Sequence, residues 1–212
     1  MKRTGYMAAV LALFPALCLA GELKPVALAA PETDGGKPLM QVLKERKSVR
    51  EFGPGALPMQ VLSNLLWAAA GVNRADGRRT APTASNRQEI DVYVAAADGL
   101  YLYDAKGHRL EPVLAEDIRA ATGTQAYVRD AAVNLIYVAD FAKMGQSSPE
   151  NKVLYSAADT GFISQNVYLF CASQGLATVV RASVDRDALA KTMKLRPEQR
   201  ITLAQSVGFV KK

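Results

Sequence analysis

Apolar positions along the chain change period several times, and each change marks a predicted element. Leu39, Val42 and Leu43 recur at helical spacing behind Pro38, so a first helix leads from Pro38 toward Arg46. A second begins at Pro58, sets Leu62, Leu65, Leu66 and Ala69 on one stripe, and meets Gly71, which can end it. Trp67, the only tryptophan, packs at that helix's edge. Residues 90–96 read as a strand that turns at Asp98-Gly99 into residues 100–103, and a turn over 104–107 returns the chain through Arg109 to Val113. Residues 115–121 are expected as a short helix stopped by Gly123, and residues 131–139 as a buried strand.

The longest predicted helix spans residues 150–174, with Gly175 to stop it. Its centre carries Ala157, Ala158, Gly161, Phe162, Ile163, Val167, Leu169, Phe170 and Ala172 around nearly the whole circumference, the pattern of a helix buried on all sides. Gly161 leaves room for a second backbone, either a crossing helix or another subunit. Gln165 and Asn166 need partners in such a setting, and Cys171 reads as a small core residue. A strand over 176–181, a helix capped by Asp185 and running through Lys194, and a last strand over 201–210 complete the chain. The class is α+β, with a mixed, largely antiparallel central sheet flanked by helices.

Half of the 212 residues are hydrophobic and 22% are charged, which suits one globular domain from residue 38 to residue 212. Residues 1–20 differ: Lys2 and Arg3 precede an apolar run over 7–20 that is interrupted by Pro15 and ends in small residues. This reads as a secretory signal peptide cleaved after about Ala20, too short for stable membrane insertion. The expected destination is outside the cytoplasm, in the periplasm. Residues 21–37, rich in Ala, Pro and Gly, read as a flexible or extended arm without regular structure. Basic side chains number 26 against 20 acidic ones, and the excess is spread out, so no nucleic-acid track is expected. Cleavage would leave Cys171 as the only cysteine, hence no internal disulfide. His108, the single histidine, reads as an exposed turn residue, and without a second His or paired cysteines no metal site is expected.

Candidate chemistry starts at Arg46-Lys47-Ser48-Val49-Arg50. If the backbone straightens there, Arg46, Ser48 and Arg50 leave one face and suit an anion such as a phosphate. A solvated basic turn at a helix end is the competing reading. The polar, basic stretch over 73–88 is the second candidate, since long polar loops in compact domains often carry function.

Together with the Arg79 to Gln88 loop, the helix from Gly161 to Gln165-Asn166 and the closing Ala204-Gln205-Ser206-Val207-Gly208-Phe209, the Arg46 to Phe52 stretch resembles the nitroreductase superfamily of FMN-dependent oxidoreductases. The resemblance covers residues 40–212, and the Pro82-Thr83-Ala84 form of the loop is most similar to the thiazoline and oxazoline peptide oxidase branch. It implies a homodimer with FMN at the subunit interface and the long helix in that interface. It also implies roles: Arg46 and Ser48 on the phosphate, Arg50 near the pyrimidine edge of the flavin, Asn86 and Gln88 on the ribityl chain or ring edge. Pro82, Thr83 and Ala84 would pack beside the cofactor. Backbone N–H groups around Val180 would face the ring, and Arg181 would add charge to the phosphate or a substrate. Of the basic C-terminal residues the family uses on the phosphate, only Lys211 and Lys212 are present. Tyr127, Phe141 and Tyr155 would line the substrate space or simply pack in the core.

The implied function is an exported FMN-dependent oxidoreductase acting on a small-molecule electron acceptor such as a nitroaromatic or quinone. NAD(P)H is the donor usual in the family, although scarce outside the cytoplasm. A flavin-binding module without turnover and a flavin-dependent dehydrogenase of modified peptides are the alternatives.

Overall fold

The computed structural model describes residues 23–212. The signal-peptide reading lies outside these residues. Eight strands form one sheet: β1 (Val26–Ala27), β2 (Phe52–Gly53), β3 (Ile90–Ala96), β4 (Gly99–Asp104), β5 (Arg109–Leu114), β6 (Val133–Asp140), β7 (Leu176–Arg181) and β8 (Gln199–Val210). The order is β1-β5-β4-β3-β6-β8-β2, with β7 also paired to β8. Every pairing is antiparallel, so the expected mixed sheet resolves to one hand of pairing throughout. Val207 of β8 lies opposite Val133 on one side and Thr178 on the other, which puts β8 between β6 and β7.

Four helices accompany the sheet: α1 (Leu39–Glu45), α2 (Met59–Ala70), α3 (Pro149–Gln174) and α4 (Arg186–Thr192). Local chemistry sets their ends. Ser148 accepts the Asn151 N–H with Pro149 in the first turn, Gly175 closes α3 at φ +69°, and Asp185 accepts the Ala188 N–H of α4. β6 is buried along its whole length, its polar residues Asn134 and Asp140 included. α2 and α3 pack together over the larger core, which includes Leu65, Leu66, Leu135, Tyr137, Ile163 and Val167.

Four expectations need correction. The short helix expected over 115–121 is instead a single 3₁₀ turn, Arg119–Thr122, because β5 extends to Leu114 and the Asp117 carboxylate accepts the Arg119 N–H and Nε–H. The described part of the arm has regular structure: Val26 and Ala27 pair with Leu110 and Arg109. Asn64 Oδ1 of α2 accepts the Glu32 N–H, and Gln60 Nε2 donates to the Ala30 carbonyl.

His108 is no exposed turn residue. Its Nε2 lies 3.0 Å from the Ala29 carbonyl and 2.7 Å from Ser63 Oγ, and its Nδ1 lies 2.9 Å from Tyr103 Oη. A carbonyl can only accept, so Nε2 carries the proton and Nδ1 accepts from tyrosine. Burial holds this imidazole below its ordinary pKa. The native state therefore binds fewer protons than the unfolded chain, and stability falls as pH drops below the ordinary imidazole value. We expect His108→Ala to cost roughly 1–3 kcal/mol by stranding the Tyr103 hydroxyl, read as a lower thermal midpoint. A midpoint equal to the wild type's would remove the arm's anchor from the account.

The fourth correction concerns α3, which is buried along one stripe only. Ser156, Asp159, Thr160, Ile163, Val167, Tyr168 and Cys171 face the fold. On the other side Val153, Leu154, Ala158, Gly161, Phe162 and Gln165 are exposed, with Leu154 at 62% and Phe162 at 48%. A side chain built on Gly161 would meet nothing within 4 Å. Leu39, Met40 and Leu43 of α1 are exposed as well. The all-round apolar pattern is thus satisfied by this chain on one face alone. Asn166 finds its partner in the Ala68 carbonyl, while Gln165 lies in solvent.

Candidate functional site

At the end of α1 the backbone leaves the helix at Arg46 (ψ 122°) and runs on extended, docked on β7 by the Val49 N–H bond to the Thr178 carbonyl at 2.9 Å. Alternation follows: Val49 packs inward against the Phe52, Ala177 and Val179 cluster, while Ser48 and Arg50 are exposed. Arg46 and Ser48 converge on Tyr168 of α3. The Arg46 guanidinium stands 5.1 Å from the ring centroid, a cation–π contact. Ser48 Oγ lies 2.8 Å from Tyr168 Oη, and that same Oη accepts the Val180 N–H at 3.0 Å. With Val180 donating to it, the phenol can give its proton to Ser48 and leave the serine proton free as a donor. Arg46, Lys47 and Arg50 make no ion pair among the described residues.

A second cluster forms nine residues earlier on the same helix. The Ala84 N–H donates to Asp159 Oδ2 at 3.0 Å, the Gln88 N–H to Thr83 Oγ1 at 3.0 Å, and Gln88 Nε2 to Asn86 Oδ1 at 3.1 Å. Ser85, Asn86 and Gln88 all sit at φ between 50° and 55°, a region that side chains disfavour. Three such residues in four positions mark strain held by the surrounding bonds, a frequent companion of ligand-binding loops. Pro82 is exposed beside them. Beneath the loop Glu89 is fully buried, and neither carboxyl oxygen has a partner among the described residues. Burial above all, then neighbouring Asp159, pushes its pKa up to about 7.

Arg46, Ser48 and Val180 are therefore brought together, as are Thr83, Ala84, Asn86 and Gln88. The two groups are not joined within one chain. Tyr168 and Asp159 are separated by about 13 Å along the helix axis at 1.5 Å per residue. Arg50 stands exposed near the first group without a recorded bond. Arg181 turns away from both: it is 6% exposed, and its Nη2 donates to the Thr122 carbonyl, Thr122 Oγ1 and Asn134 Oδ1. It braces β7 against β6 and the Arg119–Thr122 turn, because a buried cation must find acceptors. Lys211 lies on a different cavity of about 800 Å³, shared with Phe52, Leu57, Arg119 and Asp130. Tyr127 packs on Phe52, Phe141 packs on the larger core, and Tyr155 is exposed on α3.

Tyr168, Asp159 and Glu89 are the site-building residues that the pattern reading passed over. A carboxylate in the middle of an apolar helix, and another at the mouth of a buried strand, are the signals that could have found Asp159 and Glu89.

The fold and these two clusters define a class of α+β proteins in which a basic segment and a strained loop meet one long central helix. A family model described as "Nitroreductase family" matches residues 43–209, and the chain belongs to that family. A nitroreductase relative from Methanocaldococcus jannaschii is 29% identical over 168 residues, covering 74% of this chain and 85% of its own. The crystal structure of a nitroreductase from Ralstonia eutropha JMP134 superposes with a TM-score of 0.86 at 41% identity, covering 96% of this chain and 97% of its own. An NADPH:FMN oxidoreductase from Vibrio harveyi, complexed with NAD+, shares the fold at a TM-score of 0.60 and 18% identity, over 82% of this chain and 69% of its own.

Proposed function

We propose that the chain is an exported FMN-dependent oxidoreductase that works as a homodimer and delivers electron pairs to a small electron-poor acceptor, a nitroaromatic or a quinone. The observation that carries the reading is a set of cations without an ion pair among the described residues, Arg46, Lys47 and Arg50, around the Ser48 hydroxyl posed by Tyr168. This donor set fits a phosphate monoester, since arginine forks match its oxygens and serine adds a small donor.

Bound there, FMN would supply the two-electron chemistry, and the protein would supply grip, orientation and charge. Arg46 and Ser48 hold the phosphate. Arg50 offers a cation where negative charge gathers on the reduced ring. Pro82, Thr83 and Ala84 pack beside the ring, with Asn86 and Gln88 as its hydrogen-bonding partners, and NAD(P)H is the donor to test first.

The two clusters stand on one helix yet open on different cavities, Lys47 and Tyr168 on one and Thr83 and Asn86 on another, and the exposed face of α3 carries Leu154 and Phe162. Both facts support a second copy whose loop completes the grip of the first. Exposed apolar patches of this kind usually mark interfaces. The test is an absorbance spectrum joined to sedimentation: purified protein should be a dimer that takes up FMN, bleaches with reductant and recolours with a nitro compound or quinone. A colourless monomer that refuses added FMN overturns the reading.

A further inference from the structure

Beside the strained loop the chain makes a small hairpin. Val72 pairs with Arg79, the Asn73 N–H donates to the Arg78 carbonyl at 3.1 Å, and the Gly77 N–H donates to the Arg74 carbonyl at 3.0 Å. Its base is fixed by the Thr80 N–H bond to the Gly71 carbonyl and by Thr80 Oγ1 on the Trp67 carbonyl. Its tip is tied to the loop, since Gln88 Nε2 donates to the Gly77 carbonyl at 3.0 Å. Hairpin and loop therefore hold each other in place.

Between them lies a cavity of about 480 Å³ whose lining includes Arg74, Arg78, Arg79, Thr83, Ser85 and Asn86, and no carboxylate among the described residues. The size is that of a small-molecule site. Nearby acids do little to neutralise it. Arg78 pairs with Asp76 at 3.3 Å, but both side chains are more than half exposed, so water and salt weaken the pair. Arg74 Nε donates to the neutral Asn73 Oδ1. Arg79 Nε is buried without a partner among the described residues, while neighbouring Asp91 and Asp104 already pair with Lys143 and Arg109. Three guanidiniums and two hydroxyls around one rigid hollow form a receptor for an anionic group.

We propose that this cavity takes the carboxylate or phosphate group of the enzyme's substrate, so that the substrate is an anionic molecule held by Arg74 and Arg79 next to the Pro82–Asn86 loop. The inference rests on the oxidoreductase reading above. It goes further by naming the charge of the substrate and the residues that select it.

The experiment uses full-chain protein loaded with FMN, its spectrum recorded before any probe is added. Failure to load speaks against the cofactor reading and is seen at that step. Three probes are then titrated by calorimetry: 4-nitrobenzoate, 4-nitrophenyl phosphate and the neutral 4-nitrobenzyl alcohol. One anionic probe should bind roughly 10-fold tighter than the alcohol, as a charge-assisted contact implies, and the stronger of the two identifies the group. Arg74→Gln and Arg79→Gln should each narrow that gap several-fold while FMN affinity stays unchanged. Arg74 is exposed, so its variant keeps the test valid if loss of the half-buried Arg79 disturbs folding. Equal binding of all three probes overturns the proposal, as does a gap that survives in the variants. A parallel loss of FMN affinity also overturns it, by making the cavity part of the cofactor cradle.

Discussion

Replacing Arg46 and Arg50 together by alanine should weaken FMN binding by at least roughly 100-fold, with little change in thermal stability. The size follows from the contacts removed. A charge-assisted hydrogen bond contributes about 1.5–3 kcal/mol, and the variant loses at least one from Arg46 to the phosphate and one from Arg50 at the ring edge. The small stability cost follows from their placement: Arg50 is exposed, and Arg46 gives up one cation–π contact with Tyr168. Calorimetric titration of the variant with FMN, beside a melting curve without it, separates the two quantities. Undiminished affinity would show that the basic segment is only a solvated turn.

Glu89→Gln should raise the thermal midpoint at pH 8 and leave it nearly unchanged at pH 5. The unfolded carboxyl titrates near its ordinary value of 4.5, whereas the native one is pushed up to about 7 by burial and by Asp159. Between those values the folded chain holds a proton that the unfolded chain has released. Stability therefore declines as pH rises through that window, and the full penalty stands above it. The difference corresponds to roughly 3 kcal/mol, or about 6–12 °C for a domain of this size. Glutamine keeps the shape without the charge, and its amide can donate to Asp159. Scanning calorimetry of both proteins at the two pH values decides the matter. A gap between variant and wild type that is the same at pH 8 as at pH 5 would contradict it.

Much of the fold was legible because local signals and packing agree. The meander over β3, β4 and β5, the Gly175 end of α3 and the Asp185 cap of α4 all follow from periodicity and turn chemistry. The reading failed where a distant partner decides. The sequence around His108 says only "turn", and the residues that enclose it, Ala29, Ser63 and Tyr103, come from three other segments. An apolar helix likewise does not say whose atoms will cover it, so the exposed face of α3 could not be told from a core face.

For the candidate site, residue types were legible and geometry was not. Two arginines and a serine at alternating positions suggested an anion, but Tyr168, which poses two of them, lies 120 residues from Ser48. Arg181 read as a free cation because its acceptors, Thr122 and Asn134, lie 59 and 47 residues away.

The slight strand at Val26–Ala27 covers the outer margin of β5, where Leu110 and Arg109 would otherwise present bare amides and carbonyls to any neighbour. A clip at the arm that frees those two residues would leave the Arg46–Arg50 segment and the 82–88 loop in place and give the sheet a sticky rim. Loss of the arm as far as Ala27 would then be felt first as self-adhesion between molecules, well before any loss of shape within one.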